Sequence, residues 1–159
     1  MVRAAKEAGQ LVFADTKLPN FRKLTLADVR ETLPYVHTLT PNEDEARYFT
    51  GKDTPEEMED VFLSYGVSNV VIKLGGQGCL LKNARGTVCL LAYAIDAVDA
   101  TGAGDNFDAG YVSEILRGKS PEEALSFANA CGAICAMAVG AGTALKSRAQ
   151  AERFMESFR

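Results

Sequence analysis

The chain has 159 residues, 47% of them hydrophobic and 24% charged, the balance of one globular domain long enough to bury a core. Its net charge of −4 offers no basic field for nucleic acid or an anionic membrane. No apolar run approaches the ~20 residues of a membrane span, and the start, MVRAAKEAGQ, lacks the apolar stretch of a secretory leader, so a cytoplasmic location is expected.

In chain order, residues 2–8 read as the end of a helix stopped by Gly9. QLVFAD reads as a buried strand, and the polar loop TKLPNFRK follows. Thr25 can cap a short helix over 26–32, which Pro34 would end. YVHTL is a second strand, and His37, the only histidine, is read as a strand residue near the surface. TPNEDEARYF begins a helix; DTPEEMEDVFLSYG is another, with Pro55 in its first turn and Gly66 at its end. NVVIKL is a third strand. GCLLK and TVCLLA form a hairpin around NARG. Two long helices, about 103–117 and 121–138, follow, and a last helix starts near Ser147. Alternating strands and helices imply a parallel sheet with helices on its faces. The chain opens on a helix with no strand before it, as if in the middle of a fold.

The four cysteines do not form a framework. Strand alternation puts Cys79 and Cys89 on opposite faces of the hairpin. Cys131 and Cys135 lie four apart on an apolar helix, too few ligands for zinc. All are expected to be small buried thiols.

DATGAGD, residues 99–105, carries the chemistry. Gly102 and Gly104 permit positive φ and strip side chains from the loop. The helix that follows leaves its first N–H groups without partners. Together they form a cup of backbone donors at the positive end of a helix dipole, suited to a phosphate. A pure anion site has no use for an acid, so Asp105 suggests a general base that takes a proton from a hydroxyl beside the phosphate. An Asp in the first turn is also favoured by the dipole alone. The loop is neither a Walker A motif nor a dinucleotide G-x-G-x-x-G.

DATGAGDNF resembles the C-terminal signature of the ribokinase-like (PfkB) sugar kinases, Asp-x-Thr-Gly-Ala-Gly-Asp-x-Phe. TPNEDEA is similar to that family's Asn-x-x-Glu motif, KLGGQG to its glycine turn, and ANACGAICAMAVGAG to the alanine-rich helix and glycine loop beside the adenine. The likeness runs from about residue 9 to the C-terminus. It implies a three-layer α/β/α fold with a mainly parallel sheet and a hairpin, truncated at the N-terminus. It implies that the chain is the C-terminal nucleotide-binding, catalytic part of a carbohydrate kinase.

Residue by residue, the resemblance implies Asp105 as the base and the backbone of Gly102, Ala103 and Gly104 as the phosphoryl hole. Asp99 and Thr101 match positions that help bind a monovalent cation such as K⁺. Asn42 and Glu45 match the motif that organises Mg²⁺ and the phosphates of ATP through water, and they are equally a capping box. Gly75 and Gly78 would shape a turn past the nucleotide, or simply a tight turn. Asn129 matches a position near adenine or ribose, or is a lone polar residue on an apolar helix. Gly140 and Gly142 would form the adenine-side loop. The chain departs from the family where Asp-x-Asn-x-Arg is common: Asp15 is followed by Lys17, read as solvated, with Asn20 and Arg22 late. Ala100 replaces a common Thr. The resemblance implies a small-molecule sugar as partner; nothing matches the family's sugar-side motifs, so this chain alone is expected to phosphorylate it poorly. The alternatives are a non-catalytic nucleotide-binding module, or an interaction protein pairing with its own copy through an exposed sheet edge.

Overall fold

The computed structural model describes residues 1–158. They form two compact units: Met1–Leu74 with Leu80–Val88, and Gly75–Cys79 with the chain from Cys89 onward.

The first unit holds most of the sheet. Helix α1 (Val2–Glu7) precedes β1 (Phe13–Ala14), and α2 (Leu26–Val29) leads through a 3₁₀ turn at Leu33–Tyr35 to β2 (Thr38–Leu39). Helices α3 (Glu43–Thr50) and α4 (Pro55–Ser64) follow, then β3 (Asn69–Lys73), β4 (Cys79–Asn83) and β5 (Gly86–Leu90). Strand order in the sheet is sequential, β1 to β5. The first two pairings are parallel, with Phe13 opposite Thr38 and Thr38 opposite Asn69. The short links after β3 and between β4 and β5 are too brief for a parallel crossover and make those pairings antiparallel.

Helix starts are set locally. Asn42, Thr54 and Ser120 each accept a backbone N–H from the residue three positions on, which satisfies an orphan donor. The apolar faces of α2, α3 and α4 close over β2 and β3: Leu26, Leu39, Met58, Phe62, Val70 and Ile72 are buried together. Each such side chain contributes roughly 1.5–3 kcal/mol by leaving water.

Two expectations are corrected. Pro34 does not end a helix over 26–32; α2 stops at Val29, and Pro34 is the second residue of the 3₁₀ turn, where its missing N–H costs nothing. QLVFAD is paired only from Val12 to Ala14, through Val12 O and Ala14 O accepting from His37 and Thr40; Leu11 is exposed.

The second unit is helical. Helix α5 (Ala103–Leu116) packs on α6 (Pro121–Ala136), and α7 (Arg148–Glu156) packs on α6. Gly110 makes the close α5–α6 approach possible: a Cβ there would lie 2.9 Å from Cys131 Sγ. Phe127, Cys131, Ile134 and Ala151 form the core of this unit. Arg148 lies 4.5 Å over the Phe127 ring and 2.5 Å from the buried Glu114 carboxylate. Cys79, Cys131 and Cys135 are the buried thiols expected, but Cys89, on the largely exposed strand β5, is exposed, and no cysteine is in a disulfide. Among the described residues no helix is long and apolar enough to cross a membrane.

Candidate active site

The candidate residues fall in both units, and each group is built within its own.

In the first unit they gather at the carboxyl ends of the parallel strands, where open α/β sheets place ligands. Asp15 and Thr16 follow β1, Asn42 follows β2, and Lys73 ends β3. Asn42 and Lys73 are bridged across the ladder. The capping box is real: Asn42 Oδ1 accepts from Glu45 N at 2.9 Å, and Glu45 Oε2 accepts from Asn42 N at 3.0 Å. Glu45 is buried. Its Oε2 takes a second hydrogen bond, from Thr16 Oγ1 at 3.0 Å. Asp15 Oδ1 accepts from Thr16 N at 2.9 Å and pairs with Lys73 Nζ at 3.1 Å. Lys17 is exposed. Sequence reasoning missed Lys73 and Thr16; a cation at the end of the buried run NVVIK was the available signal.

In the second unit the loop 98–102 runs into α5. Gly102 is the N-cap at φ 78°, ψ 0°, a conformation that strains any residue with a Cβ. A Cβ there would also lie 2.6 Å from Ala141. The first i→i−4 bond of the helix is Asn106 N to Gly102 O, 2.9 Å, so the N–H groups of the first turn have no such partner. That of Ala103 is given to Ala100 O at 3.0 Å. Asp105 is exposed in this first turn.

Asn106, which sequence reasoning also missed, braces the loop. Its Nδ2 donates to Gly102 O at 2.9 Å and to Ala141 O at 2.8 Å. Asp99 accepts from Thr101 N at 2.9 Å and from Gly140 N at 3.0 Å. Hydrogen bonds from Thr101 first, then Gly140, hold its carboxyl down at about 2, so it stays anionic. Gly140 sits at φ 98°; Gly142 has open space around it and no positive φ.

The glycine turn is a 3₁₀ turn at Gly75–Gln77. Gly78 is sterically fixed: at φ 105° a Cβ would lie 1.9 Å from Leu90 O. Gly75, at φ 57°, has nothing near it. Asn129 is buried and gives its side-chain N–H to Leu91 O at 2.8 Å, so part of its polarity is spent holding the chain after β5.

Among the described residues no group of three or more His, Cys, Asp or Glu could hold a metal. A dedicated protein cage is therefore not built there. At Glu45, Oε2 is occupied by two donors and Oε1 makes no hydrogen bond to the described residues, an arrangement that would fit the weaker demand of Mg²⁺, which keeps several of its waters.

The sequence matches the pfkB family carbohydrate kinase model over residues 1–148. It is 37% identical over 162 residues to 2-dehydro-3-deoxygluconokinase of Bacillus subtilis, covering 97% of this chain and 49% of that one. Among solved structures it is similar to Arabidopsis thaliana ribokinase complexed with ribose and ATP, with TM-score 0.85, 30% identity, and coverage of 98% of this chain and 50% of that one. It is also similar to a double mutant of a Vibrio cholerae fructokinase bound to fructose, ADP and potassium ion, with TM-score 0.84, 25% identity, and coverage of 97% and 53%. The chain spans half or less of the length of the first curated relatives it matches. The likeness to solved ribokinases bears out the ribokinase-like α/β fold expected from the sequence.

Proposed function

Because this chain belongs to the pfkB family of carbohydrate kinases, we propose that it carries the nucleotide and catalytic side of an ATP-dependent phosphoryl transfer to a hydroxyl of a sugar or related small molecule. The observation that carries this reading is Asp105, exposed in the first turn of a helix whose N-cap is a left-handed glycine. A carboxylate there can take the acceptor hydroxyl's proton while first-turn N–H groups hold phosphoryl oxygens. That division of labour, positioning plus charge stabilisation, is what in-line phosphoryl transfer demands.

The roles proposed are those that the family resemblance implies, adjusted to the local hydrogen bonding. Asp105 is the base. The N–H groups of Gly102 and Gly104 lead the phosphoryl hole, and Ala103 contributes less because its N–H is already given to Ala100. Asn106 keeps Gly102 and Ala141 in register. Asn42 and Glu45 hold Mg²⁺ through water, and the metal when bound supplies charge neutralisation on the phosphates. Asp99 and Thr101 serve a monovalent cation: the Asp99 carboxylate stays anionic and forms no ion pair among the described residues. A potassium ion bound in a similar fructokinase structure supports this. Gly75, Gly78, Asn129, Gly140 and Gly142 shape the nucleotide side; ATP in the similar ribokinase supports it.

Acceptor positioning can supply on the order of 7–11 kcal/mol of a barrier. With half the length of its relatives and none of their sugar-side motifs, this chain alone transfers slowly. The test is mass-spectrometric detection of phosphorylated product from ATP and a panel of sugars. Product that disappears in Asp105→Asn supports the reading; product that persists unchanged in that variant removes Asp105 as base.

A further inference from the structure

Thr16 lies in no motif, yet among the described residues it makes the one side-chain hydrogen bond that reaches Glu45 from outside the capping box. Its hydroxyl donates to Glu45 Oε2 at 3.0 Å, the same oxygen that receives Asn42 N at 3.0 Å. Two donors on one oxygen restrict the carboxylate's rotation and leave Oε1 with no hydrogen bond among the described residues. Thr16 is itself anchored: its N–H donates to Asp15 Oδ1 at 2.9 Å, and that oxygen is paired with Lys73 Nζ at 3.1 Å. The Lys73 side chain is 12% exposed and that of Asp15 37%, so solvent screens the pair in part. Lys73 N in turn donates to Pro41 O at 2.9 Å, next to Asn42. The contacts close a ring through the ends of β1, β2 and β3.

We infer that Thr16, anchored by the Asp15–Lys73 pair, is a positioning residue that sets the orientation of the Glu45 carboxylate toward Mg²⁺-bound water. The inference rests on the kinase reading above and deepens it. The sequence offers no sign of it, because the contact spans 29 residues and Thr16 sits in a loop. The physical basis is that groups which orient a ligand carboxylate govern metal affinity although they never touch the metal. The effect therefore falls on the metal-dependent part of nucleotide binding and not on the nucleotide itself.

The test is calorimetric titration of ATP into the 159-residue chain, with Mg²⁺ and with EDTA, for wild type, Thr16→Val and Thr16→Ser. Circular dichroism establishes that each variant is folded. Thr16→Val is expected to lose about tenfold in affinity for Mg·ATP and less than about twofold for metal-free ATP. Thr16→Ser, which keeps the hydroxyl, is expected to restore binding. Thr16→Ala carries the same expectation should Thr16→Val not fold. Equal weakening of both forms, unchanged Mg·ATP binding in Thr16→Val, or no rescue by Thr16→Ser overturns the positioning role while leaving the kinase reading intact. Wild type that binds neither form overturns both.

Discussion

Gly140 donates its backbone N–H to Asp99 Oδ2 at 3.0 Å, tying the glycine loop after α6 to the loop that leads into α5. The other Asp99 oxygen accepts from Thr101 N at 2.9 Å. Asp99→Asn replaces one acceptor with an N–H₂ group facing an N–H. Faster amide hydrogen exchange at Thr101 and Gly140 is the expected result. The wild-type carboxyl is held down at about 2, first by Thr101 and then by Gly140. Its contribution is thus fully present above its ordinary value of 3.8 and is lost as pH falls through about 2. Melts from pH 2 to 5 should show wild type and variant converging at the acid end. A difference that persists at pH 2 would assign the effect elsewhere.

Gly102 and Gly142 make a matched pair of opposite expectation. Gly102→Ala places a Cβ 2.6 Å from Ala141 at φ 78°. A strained left-handed residue costs of order 1–3 kcal/mol, and the clash adds to it. Gly142→Ala meets nothing and should change stability by less than about 0.5 kcal/mol. Chemical denaturation of both variants measures this. Equal effects would mean that the loop reshapes freely around residue 102.

Glu59 on α4 is fully buried, and neither carboxylate oxygen has a hydrogen-bond partner among the described residues. Burial raises its carboxyl from 4.5 to about 8; Lys82 opposes the shift, and Glu56 and Asp60 add to it. Between those values the folded chain keeps a proton that the unfolded chain releases. Stability therefore falls as pH rises, by about 1.4 kcal/mol per unit. Glu59→Gln mimics the protonated acid, so its stability curve should be flatter between pH 5 and 8 and lie above wild type at pH 7. Parallel curves would show that Glu59 is ionised in the fold.

The elements most legible in the sequence were those with local causes. The caps Asn42, Thr54, Ser120 and Ser147 precede their helices in chain order, and all four helices start where those residues place them. The ends of β1 and of α2 were not legible. Parallel pairing depends on partners such as Thr38 and Leu39, far along the chain, and Pro34 serves equally as a stop and as the second residue of a 3₁₀ turn. The candidate site divides in the same way. Asp105 and its glycines are contiguous and were read directly. Thr16, Lys73 and Asn106 act on partners 29, 58 and 35 residues away, a separation that no local pattern encodes.

The central claim, that this chain holds a phosphoryl-transfer nucleotide site with Asp105 as its base, is tested most directly by titrating Mg·ATP into wild type and Asp105→Asn. Saturable binding to both is expected with similar affinity, near 1 mM or about −4 kcal/mol. Asp105 then matters to transfer and not to binding. Absence of saturable binding to wild type would contradict a nucleotide site in this chain. Binding lost only in Asp105→Asn would make that carboxylate a structural or metal-holding group instead of the base.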